Sequence, residues 1–147
     1  MRQLIASVLL AVFVLNSATF AQQNVVIIFD DSGSMDDRMQ GGERRIDAAK
    51  RALTSVLDSL PAETNVGVLA LNSSSGGSNW IIPLGPLASA NWRPNVARLQ
   101  AVGGTPLGEY LKVGADALLE ARAQQVYGEF RLLVISDGEA NDQWLVD

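Results

Sequence analysis

Five side chains in three separate segments carry hard oxygen donors. They are Asp30, Ser32 and Ser34 in "FDDSGSM" (29–35), Thr105 in "GGTPLG" (103–108) and Asp137 in "VISDG" (134–138). Mg²⁺ takes about six oxygens near an octahedron and usually keeps water among them. Two carboxylates formally neutralise a divalent ion, and the three hydroxyls leave a sixth position open for water or an anionic ligand oxygen. Asp30, Ser32 and Ser34 alternate, so an extended turn sends their side chains the same way, and Gly33 permits a tight backbone there. Each segment also has a plainer reading. Asp30–Ser34 spells an Asx or Ser turn. Thr105 before Pro106 spells a helix cap with proline at the first helical position. Asp137-Gly138 spells a turn. The conjunction favours a site if the fold brings the three segments together.

The elements around them suggest that it does. "NVVIIF" (24–29) is a continuous apolar, β-branched run, the pattern of a strand buried on both faces. Ile46, Ala49, Leu53, Val56, Leu57 and Leu60 recur at helical spacing, with Lys50, Arg51 and Asp58 off that face and Pro61 as the stop. "NVGVLAL" (65–71) reads as a second strand and "NSSSGGSN" (72–79) as a polar loop. "WIIPLGPL" (80–87) contains a third strand, which Pro83 assigns to a sheet edge. "RPNVARL" (93–99) predicts a short helix. Leu107, Leu111, Gly114, Leu118 and Ala121 predict a longer one ending near Gln124. "FRLLVIS" (130–136) is again strand-like, and its apolar character places it centrally in the sheet. Apolar strands alternating with amphipathic helices predict an α/β fold with a mainly parallel central sheet. In such sheets ligands bind beyond the carboxyl ends of the strands, where the strand order reverses. All five donors lie at such ends or in loops beside helix N-termini.

Composition narrows the chemistry. The chain has 147 residues, one domain's worth, with no histidine and no cysteine. Any metal must therefore be held by oxygen, which favours Mg²⁺, with Mn²⁺ or Ca²⁺ as the other candidates, over Zn²⁺ or Cu²⁺. Ser-His-Asp and Cys-His triads are excluded. Residues 1–21 pair a positive start, Arg2, with the apolar run "LIASVLLAVFVL" and small residues before Ala21. That is the pattern of a secretory signal peptide cleaved after Ala21, leaving a domain of residues 22–147; the competing reading is a retained membrane anchor. The expected location is outside the cytoplasm of a bacterium: periplasmic, cell-surface or secreted. Without Arg2 the chain keeps 10 basic and 16 acidic residues, net −6, which argues against nucleic acid as a partner. No sequence feature sets an oligomeric state.

"VVIIFDDSGSM", "GGTPLGEYL" and "LLVISDGEAND" resemble the three metal-site motifs of the von Willebrand factor A domain family: Asp-x-Ser-x-Ser after the first strand, a threonine in a loop, and an aspartate after the fourth strand. The resemblance runs from about Asn24 to the C-terminus. It implies a doubly wound, Rossmann-like sheet of strand order 3-2-1-4-5-6, strand 3 antiparallel, with helices on both faces. It implies that Asp30, Ser32, Ser34, Thr105 and Asp137 form a metal-ion-dependent adhesion site, and that a protein ligand's Asp or Glu completes the metal sphere. Relatives carry two more strands and helices after the "SDG" motif, so the chain reads as a domain incomplete at its C-terminus. Integrin β-type relatives place a paired aspartate slightly later. Only Asp37 aligns with that pair, so Asp36 and Asp37 read as a solvated acidic turn. Asp31 is the variable position of the motif and is expected to point away. Glu139 and Asp142 sit near the rim and read as loop solubility.

Two other functions compete. A metal-free member of the family would serve as a scaffold within a larger surface protein. A phosphoryl-transfer enzyme of the haloacid dehalogenase type also begins with an aspartate after strand 1. It needs a second acid where this chain has Ser32, and no phosphate-cradling G-x-x-x-x-G-K-[ST] is present. An EF-hand loop fails on its glycine position and closing glutamate. The sequence therefore predicts a binding module and no enzyme.

Overall fold

The computed structural model describes residues 21–125, 127–138, 140–142 and 144. The segment 1–21 read as a signal peptide lies, apart from Ala21, outside the described residues, as does Glu139. Four strands form one sheet: β1 (Gln22–Phe29), β2 (Asn65–Ala70), β3 (Trp80–Pro86) and β4 (Gly128–Ile135). Their order is β3-β2-β1-β4. β1 runs parallel to β2 and to β4, and β3 pairs antiparallel with β2. Pro83 indeed falls in an edge strand, and the first four strands of the six-strand order implied by the family resemblance are realised strand for strand.

Three helices cover both faces: α1 (Arg45–Ser59), α2 (Trp92–Arg98) and α3 (Leu107–Gln124). Because the strands are parallel and covered on each side, β1 shows no alternation; all of Asn24–Phe29 is buried. Val25, Ile27 and Phe29 face α1 and α2 in a cluster with Ile46, Ala49, Leu53, Leu57, Val96 and Leu99. Val26 and Ile28 face α3, where Leu118, Leu107, Leu111, Phe130 and Leu132 complete the second cluster. The expected alternation of helices across a doubly wound sheet is thus present. Asn24, fully buried in β1, is satisfied by Asn65 and Gln125, each at 2.9 Å. This ties the end of the sheet remote from the candidate site.

Among the described residues β4 pairs only with β1. Phe130 and Leu132 pack under α3, while Leu133 and Val134 stay 41% and 43% exposed.

α3 approaches the sheet closely at Gly114. A Cβ there would lie 2.9 Å from Leu132 Cδ1, 3.0 Å from Ile28 Cδ1 and 3.1 Å from Val26 Cγ1. A glycine in mid-helix costs about 1 kcal/mol relative to alanine, and close packing on two strands is what it permits. Gly114→Val is expected to destabilise the fold by about 1–3 kcal/mol through overpacking, read as a lower urea midpoint. Gly114→Ala should cost less, because the gain in helix propensity offsets part of the clash.

Candidate metal centre

The β1–β4 register pairs Phe29 with Ile135, and the next amide, Asp30 N–H, donates to Ile135 O at 2.9 Å. Asp30 and Ser136 therefore leave the sheet side by side. Asp30 is 1% exposed. Its Oδ1 accepts from Ser32 N–H at 2.9 Å, and its Oδ2 accepts from Ser136 Oγ at 2.6 Å. The first of these is the Asx turn that the sequence also allowed. Turn and site are one object here: the Asx turn fixes the carboxylate.

The segment after it is not extended. Gly33–Asp36 form a 3₁₀ turn, closed by Met35 N–H to Ser32 O and Asp37 N–H to Ser34 O, both at 3.0 Å. Met35, 2% exposed, anchors the turn in the α1-side core. The serines still converge, with Ser32 Oγ and Ser34 Oγ 3.1 Å apart, but through a coil of the chain rather than through alternation. Ser34 Oγ then donates to Asp137 Oδ1 at 3.2 Å. Gly33 does not use left-handed backbone. Its N–H donates to Gly103 O at 3.0 Å, which ties the first loop to the loop that carries Thr105.

Thr105 is 8% exposed. Among the described residues it is held through its backbone: its N–H donates to Asn141 Oδ1, and its carbonyl accepts from Asn141 N and Leu107 N at 2.8 Å each. It does not cap α3. The N-cap position is Pro106, without a side-chain cap, and Asp142 supplies the acceptors from 34 residues away, to Gly108 N at 2.9 Å and Glu109 N at 2.8 Å. Asp142 thus has a structural task rather than one of solubility. Desolvation raises its pKa, but the amides of Gly108 and Glu109 outweigh this and leave it below the ordinary aspartate value.

Asp31 is the second correction. It points away from Asp30, as expected, but it is no bystander: it is fully buried. Oδ1 accepts from Asn72 N at 2.8 Å and Asn72 Nδ2 at 3.2 Å, and Oδ2 accepts from Ser73 N at 2.7 Å. Asn72 Nδ2 also donates to Gly104 O at 2.9 Å, and Val102 N donates to Asp31 O at 2.8 Å. Asp31 therefore pins the polar loop 72–79 and, through Asn72, the Thr105 loop. Gly103 adopts φ +69°, and a Cβ on it would overlap Asn72, so glycine is required there on both counts. Asp36 and Asp37 are exposed, and each pairs with an arginine, Arg44 at 3.1 Å and Arg45 at 3.5 Å, as befits a solvated turn.

The Ser32, Ser34 and Asp137 oxygens are spaced to suit a small divalent ion. Adjacent oxygens of a Mg²⁺ octahedron with bonds of about 2.0–2.1 Å lie roughly 2.8–3.0 Å apart. The Ser32–Ser34 and Ser34–Asp137 oxygen separations, 3.1 and 3.2 Å, are close to that edge. Among the described residues no group of three or more His, Cys, Asp or Glu forms a cation cluster, so the candidate is rich in hydroxyls and has two acids. Ser32, Ser34 and Asp30 on one loop and Asp137 on another would hold the ion, with Thr105 on the adjoining loop. Ser136, Asn72, Asn141 and Arg45 belong to the site's support and were not singled out by spacing. Ser136 alone had a signal, as the residue before the motif aspartate.

Two predictions follow from the support. Asp31→Ala leaves the Asn72 and Ser73 amides without their acceptor, at about 1–3 kcal/mol for each group left unpaired, and should lower the urea midpoint accordingly. The depressed Asp142 carboxyl contributes stability that is present above its unfolded pKa and lost as pH falls through its folded pKa. The gap in melting temperature between wild type and Asp142→Asn is therefore expected to be widest near neutral pH and to close under acid.

Two comparisons bear on ancestry. The family model for the von Willebrand factor type A domain matches residues 25–139. The uncharacterized protein YwmD of Bacillus subtilis (strain 168) is 33% identical over 130 residues, covering 81% of this chain and 56% of the relative. The chain thus spans a little over half the length of that relative. With the sheet order and both helical layers in agreement, this chain belongs to the von Willebrand factor type A domain family.

Proposed function

We propose that this domain is a divalent-metal-dependent protein-binding module, acting in adhesion or assembly outside the cytoplasm. The ion, Mg²⁺ or its close mimic Mn²⁺, would sit on Asp30, Ser32, Ser34, Thr105 and Asp137. A carboxylate of a protein partner would complete its sphere. The observation that carries this reading is the convergence of the Ser32, Ser34 and Asp137 oxygens at octahedral-edge spacing. Ser34 is exposed at the surface, where a partner's acid can reach, and the Asp137 side chain keeps 14% of its surface open beside it. The leader pattern of residues 1–21 supports export. The absence of histidine and cysteine, and Ser32 in place of an acid two residues after Asp30, support binding rather than catalysis, since the commonest general base and the thiol nucleophile are lacking.

One observation favours the metal-free scaffold as a second reading: Arg45 already neutralises Asp137 at 2.5 Å. Calorimetric titration separates the two. Mg²⁺ and Mn²⁺ should give a saturable heat and raise the melting temperature, by the equivalent of about 2.7 kcal/mol at 100 times the dissociation constant. Ser34→Ala should weaken the heat and Asp30→Ala abolish it, with circular dichroism checking the fold. No heat and no thermal shift at millimolar ion would sink the metal-site reading and leave the scaffold.

A further inference from the structure

α1 begins with two charges where helices disfavour them. The N-terminus of a helix carries partial positive charge and free N–H groups, yet Arg44 is the N-cap residue and Arg45 the first helical residue. The penalty is smaller than the gain from burying Ile46, Leu53 and Leu57 on the same helix. The helix therefore forms regardless, but the misplaced charges call for partners. Arg44 has local ones: its guanidinium forks onto Asp47 at 2.8 and 3.0 Å and reaches Asp36 at 3.1 Å. Arg45 does not use its own helix. Its Nη1 donates across 92 residues of sequence to Asp137 Oδ2 at 2.5 Å, with Ser34 O at 3.4 Å and Asp37 Oδ2 at 3.5 Å beside it. The Asp137 side chain is 14% exposed and that of Arg45 38%, so the pair is partly shielded from water. The guanidinium is bonded to one of the two carboxylates of the candidate metal centre and touches the turn that carries Ser34.

We propose that Arg45 is an internal cation that competes with the divalent ion for Asp137, and that metal loading frees its guanidinium at the rim where an acidic ligand enters. The inference rests on the metal-site reading above. The guanidinium is a cation bonded to Asp137, so an arriving ion competes with it for that carboxylate. Asp30 is satisfied by the Ser32 amide and the Ser136 hydroxyl, whereas Asp137 relies on Arg45 and Ser34. Arg45 thus supplies, in the absence of an ion, the charge that the second carboxylate needs. An arriving ion must share Asp137 with a positive charge or push that charge aside, and either weakens its binding. Asp37 is the nearest alternative acceptor for the displaced group. A freed planar guanidinium beside the ion suits a carboxylate ligand, which it can grip with two parallel hydrogen bonds. Selectivity for acidic partners would then come from two cations rather than one.

Mn²⁺ titration by calorimetry of wild type, Arg45→Gln and Arg45→Lys tests this, paired with thermal denaturation in chelator. Removing the charge in Arg45→Gln should tighten the Mn²⁺ dissociation constant by about two- to fivefold, the size of one partly exposed charge contact relieved. Arg45→Lys, which keeps the charge, should stay near wild type. In chelator Arg45→Gln should melt below wild type, and saturating Mn²⁺ should close that gap. Equal or weaker Mn²⁺ affinity in Arg45→Gln overturns the proposal while leaving the metal centre standing. No heat from wild type overturns both.

Discussion

The parallel ladder between β1 and β4 ends in a single hydrogen bond, from Asp30 N–H to Ile135 O at 2.9 Å, and the site takes its geometry from it. A slip of one residue would move Asp137 by about 3.3 Å along the strand and turn the β4 side chains to the opposite face. Ser34 would then lose Asp137, and Asp30 would lose Ser136. The register is held by burial on both faces of β1. Val25, Ile27 and Phe29 lie in one cluster and Val26 and Ile28 in the other, so a slip would exchange two fitted sets of side chains at once. β2 is aligned to the same reference, since Leu71 N–H donates to Phe29 O at 3.2 Å. The loops after β1, β2 and β4 therefore leave the sheet at one level.

That convergence gathers three aspartates at one end of the sheet, and each is stabilised by a different kind of donor. Asp31 is held by the amides of Asn72 and Ser73 and the Asn72 side chain. Those donors belong to the backbone frame and are not free to leave. Asp30 is shared between an amide of its own turn and the Ser136 hydroxyl. Asp137 is held by a serine hydroxyl and the end of a long arginine side chain. The series runs from fixed partners to displaceable ones. A ligand can take over a carboxylate whose partners can move, so the series itself separates structural acid from site acid. This is why Asp31, next to Asp30 and chemically identical, has a different role.

Much of this was legible in the sequence. The helical spacing of Ile46, Ala49, Leu53 and Leu57 located α1, and Pro83 located the edge strand. The three polar segments located the end of the sheet where the donors meet, because short apolar strands alternating with helices leave few alternatives. What was not legible depends on distance along the chain. Ser136 reaches Asp30 across 106 residues, Arg45 reaches Asp137 across 92, and Asn141 reaches Thr105 across 36. No periodicity carries such pairings. The 3₁₀ turn after Ser32 depends on Met35 turning into the core, and a lone methionine in a polar loop does not announce that. The burial of Asp31 depends on which side of β1 its side chain leaves, which is settled by the β2 loop and not by its neighbours in sequence.

The supports divide the site into a rigid back and an accessible front. Asp31 and Asn72 lock the second and third loops to each other. Asn141 grips Thr105 from both sides, and Asp142 closes the N-terminus of α3 beneath it. Asp30, Ser32 and Thr105 are 1%, 2% and 8% exposed, so nothing approaches through them. Ser34 is exposed, the Asp137 side chain keeps 14% of its surface open, and Arg45 is bonded to it. A partner would therefore meet the domain at the edge where the charge is least firmly held. A rigid back of this kind keeps donors pre-positioned, which lowers the ordering cost of binding. The displaceable front lets the same domain carry a balanced charge when nothing is bound.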